Sequence, residues 1–119
     1  MDINSITEIK ADGIRYAIRT EPSPTLGLAT DGQINYDQQQ ITIKQTKPAV
    51  WLQILWHELL HHISCYRIGD SLTEDTIDAI ATGINAILLD NPDLTMEIWQ
   101  VATSGNFTIE DDADADETD

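Results

Sequence analysis

The segment from Pro48 to Arg67, PAVWLQILWHELLHHISCYR, constrains the fold more than any other part of the chain. Leu52, Leu55, Leu59, Ile63 and Tyr66 recur at spacings of three and four, and Ile54, Trp56 and Leu60 widen the apolar surface, so the periodicity predicts a largely buried α-helix. Pro48 is tolerated in the first helical turn, where its missing N–H is no loss, and Gly69 supplies a C-terminal stop. In a chain of 119 residues there is room for one core, so this helix has to lie at its centre.

The residues before it read as strands. Ser5–Lys10 and Gly13–Thr20 flank an Asp12-Gly13 hairpin signal, with Ile14, Tyr16 and Ile18 on one face of the second strand. Pro22 and Pro24 enforce a loop. A second pair follows, from Leu26 to Tyr36 with an interruption at Asp31-Gly32 and then from Gln40 to Gln45, joined through 37–39; Ile41 and Ile43 alternate with Thr42 and Lys44 as in a half-buried strand. After the central helix, Ser71 (with Glu74, as a capping box) or Thr73 (with Glu74 and Asp75 in the first turn) opens a second helix. Its apolar face is Ile77, Ile80, Ala81, Ile84 and Leu88, Gly83 marks close approach to a neighbour, and Asn91-Pro92 ends it. A short third helix runs from Leu94 to Val101. The expected fold is α+β, a small twisted, mostly antiparallel sheet packed on two to three helices within residues 1–105.

Charge narrows the functional classes. The chain holds 6 Lys+Arg against 21 Asp+Glu, a net charge of -15. Six scattered cations form no basic stripe, so nucleic-acid binding is not expected. The last ten residues, EDDADADETD, hold seven of the carboxylates and no apolar side chain larger than Ala, so 106–119 is expected to be an acidic disordered tail. The longest apolar stretch, Ala49 to Ile63, is broken by Gln53, His57, Glu58, His61 and His62, which excludes a membrane span. The N-terminus lacks a basic region followed by an apolar run, and a single Cys makes no internal disulfide; both point to the cytoplasm.

The chemistry is expected on the central helix. His57-Glu58-Leu59-Leu60-His61 matches H-E-x-x-H. Four residues turn a helix by about 400° and raise it about 6 Å, so both imidazoles point the same way and can share a divalent cation. Glu58 lies about 100° further round, where it can act as general base toward a metal-activated water. An unpaired Glu in so apolar a helix is costly, and a metal cluster relieves that conflict.

Two His leave a tetrahedral site short of a ligand. Ser64 and Arg67 occupy the positions where a longer three-His motif would continue, and Cys65 lies about 12 Å along the axis from His57, so it reads as a buried packing residue. Glu74, opening the next helix as it folds back, is the favoured third ligand, with Asp75 and Asp78 as alternatives and helix capping as its non-ligand role. Asp78, one turn on, can accept the outer N–H of a ligating His. His62 reads as a solvated surface residue rather than an outer hydrogen-bond donor. Tyr16, Tyr36 and Tyr66 read as packing residues, although each could steady an oxyanion. Two imidazoles and a carboxylate suit Zn2+, and also Mn2+, Co2+ or Ni2+.

HELLHH followed by Glu74-x-x-x-Asp78 resembles gluzincin-type zinc metallopeptidases, and more narrowly the ImmA/IrrE-type family with its small phage-encoded relatives. Ile34-x-Tyr36, Ile41-Thr42-Ile43, Glu74-x-x-Ile77-Asp78-x-Ile80-Ala81 and Leu88-x-x-Asn91-Pro92 extend the similarity over about residues 5 to 95. The resemblance implies Zn2+ on His57, His61 and Glu74, Glu58 as catalytic base, and an edge strand, Gln40–Gln45, that holds a peptide by strand addition. It further implies a narrow protein or peptide substrate, since family members cleave regulatory proteins such as phage-type repressors. The expected function is zinc-dependent peptide-bond hydrolysis. The alternatives are an inactive zincin-scaffold module that binds metal and docks a protein partner, and a metal-dependent hydrolase of another substrate.

Overall fold

A computed structural model describes residues 5–22 and 31–104. The chain divides into two compact units, Met1–Ala86 and Ile87–Asp119. Both the 26–30 part of the expected third strand and the expected acidic tail lie outside the described residues.

The first unit is α+β. Strands β1 (Glu8–Ala11), β2 (Ile14–Glu21), β3 (Gly32–Asn35) and β4 (Gln40–Lys44) form one mixed sheet in the order β1-β2-β4-β3. The hairpin expected at Asp12-Gly13 forms: Ala11 pairs with Ile14, and both turn residues have positive φ (53° and 81°), the conformation that two-residue hairpins require. β4 pairs antiparallel with β3 and parallel with β2. It therefore lies inside the sheet, which corrects the expectation that Gln40–Gln45 is the edge; β1 and β3 are the edges. The interior position also buries Thr42 together with Ile41 and Ile43.

Helix α1 (Pro48–Arg67) packs on β3 and β4. Its buried residues fall in two stripes. Trp51, Leu55, Glu58 and His62, at helical spacing, face the sheet, where Trp51 and Leu55 join Tyr16, Ile18, Ile41 and Ile43 in the core. Leu60 and Ser64, with Trp56 partly buried, face α2 (Glu74–Asp90), where Leu60 meets Ile77 and Ala81. Of the expected Leu52-Leu55-Leu59-Ile63-Tyr66 line, Leu55 is buried in this core and Leu52 and Leu59 pack against it part-buried, and the line fails at its last two residues. Ile63, Cys65 and Tyr66 are exposed because the last turns of α1 have no apolar layer over that side, so Cys65 is not the buried residue expected.

Thr73 caps α2, its Oγ1 accepting the Thr76 N–H at 3.2 Å, so the Ser71 capping box does not form and Glu74 and Asp75 occupy the first turn. The α1–α2 turn is pinned by Gly69 at φ 65°, by the Asp70 N–H donating to the Ser64 carbonyl at 2.6 Å, and by the Leu72 N–H donating to Ser64 Oγ at 3.1 Å. Asn85 Nδ2 donates to the Ala49 carbonyl at 2.9 Å, tying the two helices at the other end. A Cβ on Gly83 would meet nothing within 4 Å, so the expected close approach there is absent. In the second unit, α3 (Leu94–Thr103) leaves Met96, Ile98, Trp99 and Val101 exposed. Among the described residues no helix is long and apolar enough to cross a membrane.

Candidate metal centre

The stripe of α1 between its two buried faces carries His57 and His61, each about a quarter exposed or less. Glu74, the first residue of α2, reaches both: its Oε1 lies 3.0 Å from His57 Nε2 and its Oε2 2.9 Å from His61 Nε2. One potential donor atom from each of the three residues lies within 4.8 Å of the other two. Ligand atoms on a tetrahedral ion with bonds of 2.0–2.1 Å are separated by about 3.3 Å; this donor set brings together the side-chain chemistry of a small divalent-cation site, in a grouping looser than that spacing and with Glu74 in direct contact with both rings. On the other side of the His57 ring, Nδ1 lies 3.5 Å from Asp78 Oδ1. Asp75 is exposed and belongs to no such cluster among the described residues.

Glu58 points from the sheet-facing stripe into the same groove and is 6% exposed. Burial pushes its carboxyl up to about 7; His57 opposes that rise and the Glu74 carboxylate adds to it. No described residue hydrogen-bonds the Glu58 carboxylate. The close approach that makes room for it is at Gly32 on β3. A Cβ there would lie 2.5 Å from Ile54 Cγ2 and 3.1 Å from Glu58 Oε2, so only glycine lets the edge strand run this near α1. The groove measures about 890 Å³ and runs along β3 from Asp31 to Tyr36, with Val50, Ile54 and Leu72 supplying apolar wall. Sequence reasoning took Gly32 for a strand interruption; a lone glycine at a strand edge is the signal that could have marked the approach.

His62 corrects a second expectation. It is 1% exposed, not a surface residue, because it lies on the sheet-facing stripe two turns below Leu55. The Asp12 carboxylate can only accept, so His62 Nε2–H donates to Asp12 Oδ2 (2.8 Å), and the Tyr16 O–H donates to Nδ1 (2.6 Å). Arg67 closes the chain on Asp12 through its Nε and Nη2 groups. Those partners, Arg67 first and His62 second, hold the Asp12 carboxyl below its ordinary value. Burial pushes the Tyr16 hydroxyl up to about 12, and desolvation does the same for Tyr36, which packs edge-on to Tyr66. Tyr16 thus packs as expected, while Tyr36 lines the groove. Comparisons with protein-family models, with curated proteins and with solved structures give no match.

Proposed function

We propose that the chain is a zinc-dependent peptidase that hydrolyses a peptide bond in a narrow protein substrate, with Glu58 as general base. The observation that carries this reading is the convergence of two imidazoles and one carboxylate beside a buried carboxylate, without a hydrogen-bond partner among the described residues, at the wall of an open groove. His57, His61 and Glu74 would hold the ion. Zn2+ when bound supplies the Lewis acidity that polarises the scissile carbonyl and acidifies water. Asp78 fixes the tautomer and tilt of the His57 ring from Nδ1. Glu58 takes the proton of the attacking water as oxygen adds to the carbonyl carbon, then gives it to the departing amine as the C–N bond breaks. Its burial keeps the proton within the site, and Gly32 keeps the edge strand close enough for an extended substrate to lie beside it. Because β3 and not β4 is the edge at the groove, β3 would accept such a substrate by strand addition. A lone, exposed Cys suits work in the reducing cytoplasm.

The second reading, a non-catalytic module, draws on the same distances: Glu74 bridging two imidazole N–H groups also makes a clamp between α1 and α2. Metal analysis and a peptide-library digest read by mass spectrometry separate the two. The wild type is expected to carry about one zinc per chain and Glu74→Ala far less. Glu58→Gln is expected to keep metal and fold while losing at least about 100-fold in turnover. Unchanged zinc affinity in Glu74→Ala rejects that ligand, and cleavage retained by Glu58→Gln rejects the base.

A further inference from the structure

The groove has a charge pattern that the hydrolytic chemistry does not need. Beyond Glu58 and Glu74, its lining includes Asp31, Asp70 and Asp78, and no Lys or Arg among the described residues. Asp31 directly precedes Gly32, at the end of β3 that abuts Glu58. Asp70 follows the end of α1, lines the same groove and lies close enough to Tyr36 for its charge to act on that hydroxyl. Asp31 has one cationic neighbour, Lys44 at 3.9 Å, in an exposed pair that contributes little. Asp70 is held through its backbone N–H, lines the groove and has no ion-pair partner among the described residues. β3 spans 4 residues, and with Asp31 and Tyr36 on either side the wall is about 16 Å of chain, the reach of about five residues of extended peptide. Between these ends, the buried Glu58 carboxylate opens into the groove with no hydrogen-bond partner among the described residues.

We infer that this groove selects extended polypeptide segments with a Lys or Arg at each end of a stretch of about five residues, one cation meeting Asp31 and the other Asp70. The inference rests on the peptidase reading and names its substrate class. The apolar wall of Val50, Ile54 and Leu72 accommodates the residues between the cations. The acids at the groove ends and the net charge of -15 act in the same direction, drawing a cationic segment in and repelling an acidic one.

The test uses the full-length protein with zinc and three labelled peptides of about ten residues in extended-favouring sequence. They carry Lys, Gln or Glu at the two spaced positions. Binding is read by fluorescence anisotropy and cleavage by mass spectrometry on the same samples. The Lys peptide is expected to bind about tenfold tighter than the Gln peptide at low salt, with the gap closing at about 1 M salt. Asp31→Asn and Asp70→Asn are each expected to cost the Lys peptide about two- to fivefold, with the Gln peptide unaffected. Glu8→Gln, an exposed change on β1 outside the groove lining, removes one negative charge together with its pair to Arg15 and reports what a charge change outside the groove does. Equal binding of the Lys and Gln peptides, or an equal loss in Glu8→Gln, overturns the inference. Cleavage with no preference for the Lys peptide ends it while sparing the peptidase reading. Selective binding with no cleavage of any peptide ends the peptidase reading and leaves the groove's selectivity standing.

Discussion

Two imidazole–carboxylate groupings sit on neighbouring stripes of α1. In one, His57 and His61 face Glu74 with Asp78 behind; in the other, His62 faces Asp12, with Arg67 behind the carboxylate and Tyr16 on the other ring nitrogen. Their distances are alike, 2.9–3.0 Å against 2.8 Å. Their surroundings are not. His57 and His61 open onto the groove, and the side chain of Glu74 is 69% exposed, so ring nitrogens and carboxylate can exchange one another for a ligand. His62 is walled in by Tyr16 and Tyr66, and both its nitrogens are taken, so it ties the β1–β2 turn to α1. The same pair of side-chain types thus stands within reach of a ligand where it meets solvent and is closed into the fold where it does not. Distance alone would not tell the two apart.

The strongest test of that contrast exchanges the two effects. His57→Ala is expected to lower zinc affinity by at least about 100-fold while leaving the metal-free melting temperature near that of wild type, because a part-buried imidazole whose partner Glu74 is mostly exposed contributes little to stability. His62→Ala should do the reverse. It empties a buried site and strands the Tyr16 hydroxyl, at a cost of about 2–4 kcal/mol, with zinc stoichiometry intact in the folded protein. Urea titration and metal analysis on both variants check this. Loss of zinc in a folded His62→Ala protein, or a large loss of stability in His57→Ala, would dissolve the distinction.

A smaller effect probes the wall between the two groupings. Gly32→Ala would place a methyl 2.5 Å from Ile54 Cγ2, and neither the strand nor the helix backbone can yield without disturbing the core. The expected cost is about 1–3 kcal/mol by urea unfolding, with turnover falling further than stability because Glu58 Oε2 lies beside the same methyl. A variant as stable and as active as wild type would show that β3 does not need to approach α1 so closely.

These residues also show which parts of the structure could be read in advance. Asp12-Gly13 announced its hairpin because a two-residue turn with positive φ is a local demand, and α1 announced itself through its length and its two ends. His57, His61 and Glu74 could be brought together on paper because one helix and one short turn fix their geometry. Sheet order could not: that β4 pairs parallel with β2 and displaces β3 to the edge depends on contacts remote in sequence. The same holds for His62, whose burial depends on which stripe meets the sheet. The apolar residues marked Leu52, Leu55 and Leu59, which do pack on the core, but the most buried line runs from Trp51 and Leu55 into Glu58 and His62, polar residues that hydropathy discounts. Gly32 was illegible for the same reason, since a glycine needed for a neighbour looks like a glycine needed for a turn.

The smallest expected effect is a pH dependence confined to the structural grouping. Asp12 has its carboxyl lowered from the ordinary 3.8 by Arg67 and then His62, so the unfolded chain holds the Asp12 proton more tightly than the folded one. The stabilising contribution is present above about 3.8 and is lost as pH falls through the lower native value. Many other carboxylates titrate over that range, so the quantity to measure is the difference between wild type and Asp12→Asn, as urea midpoints at several pH values from neutral down to strongly acidic. Wild type is expected to be the more stable at neutral pH, and the two curves should converge at the acid end, where the native carboxyl is protonated. The partners explain why convergence is the informative outcome: Asn keeps the shape of Asp12 and one acceptor oxygen for His62 but not the charge that Arg67 meets. A constant gap across the acid range would mean that Asp12 acts there by shape and not by charge, and the tie at His62 would then be a packing contact like any other in the core.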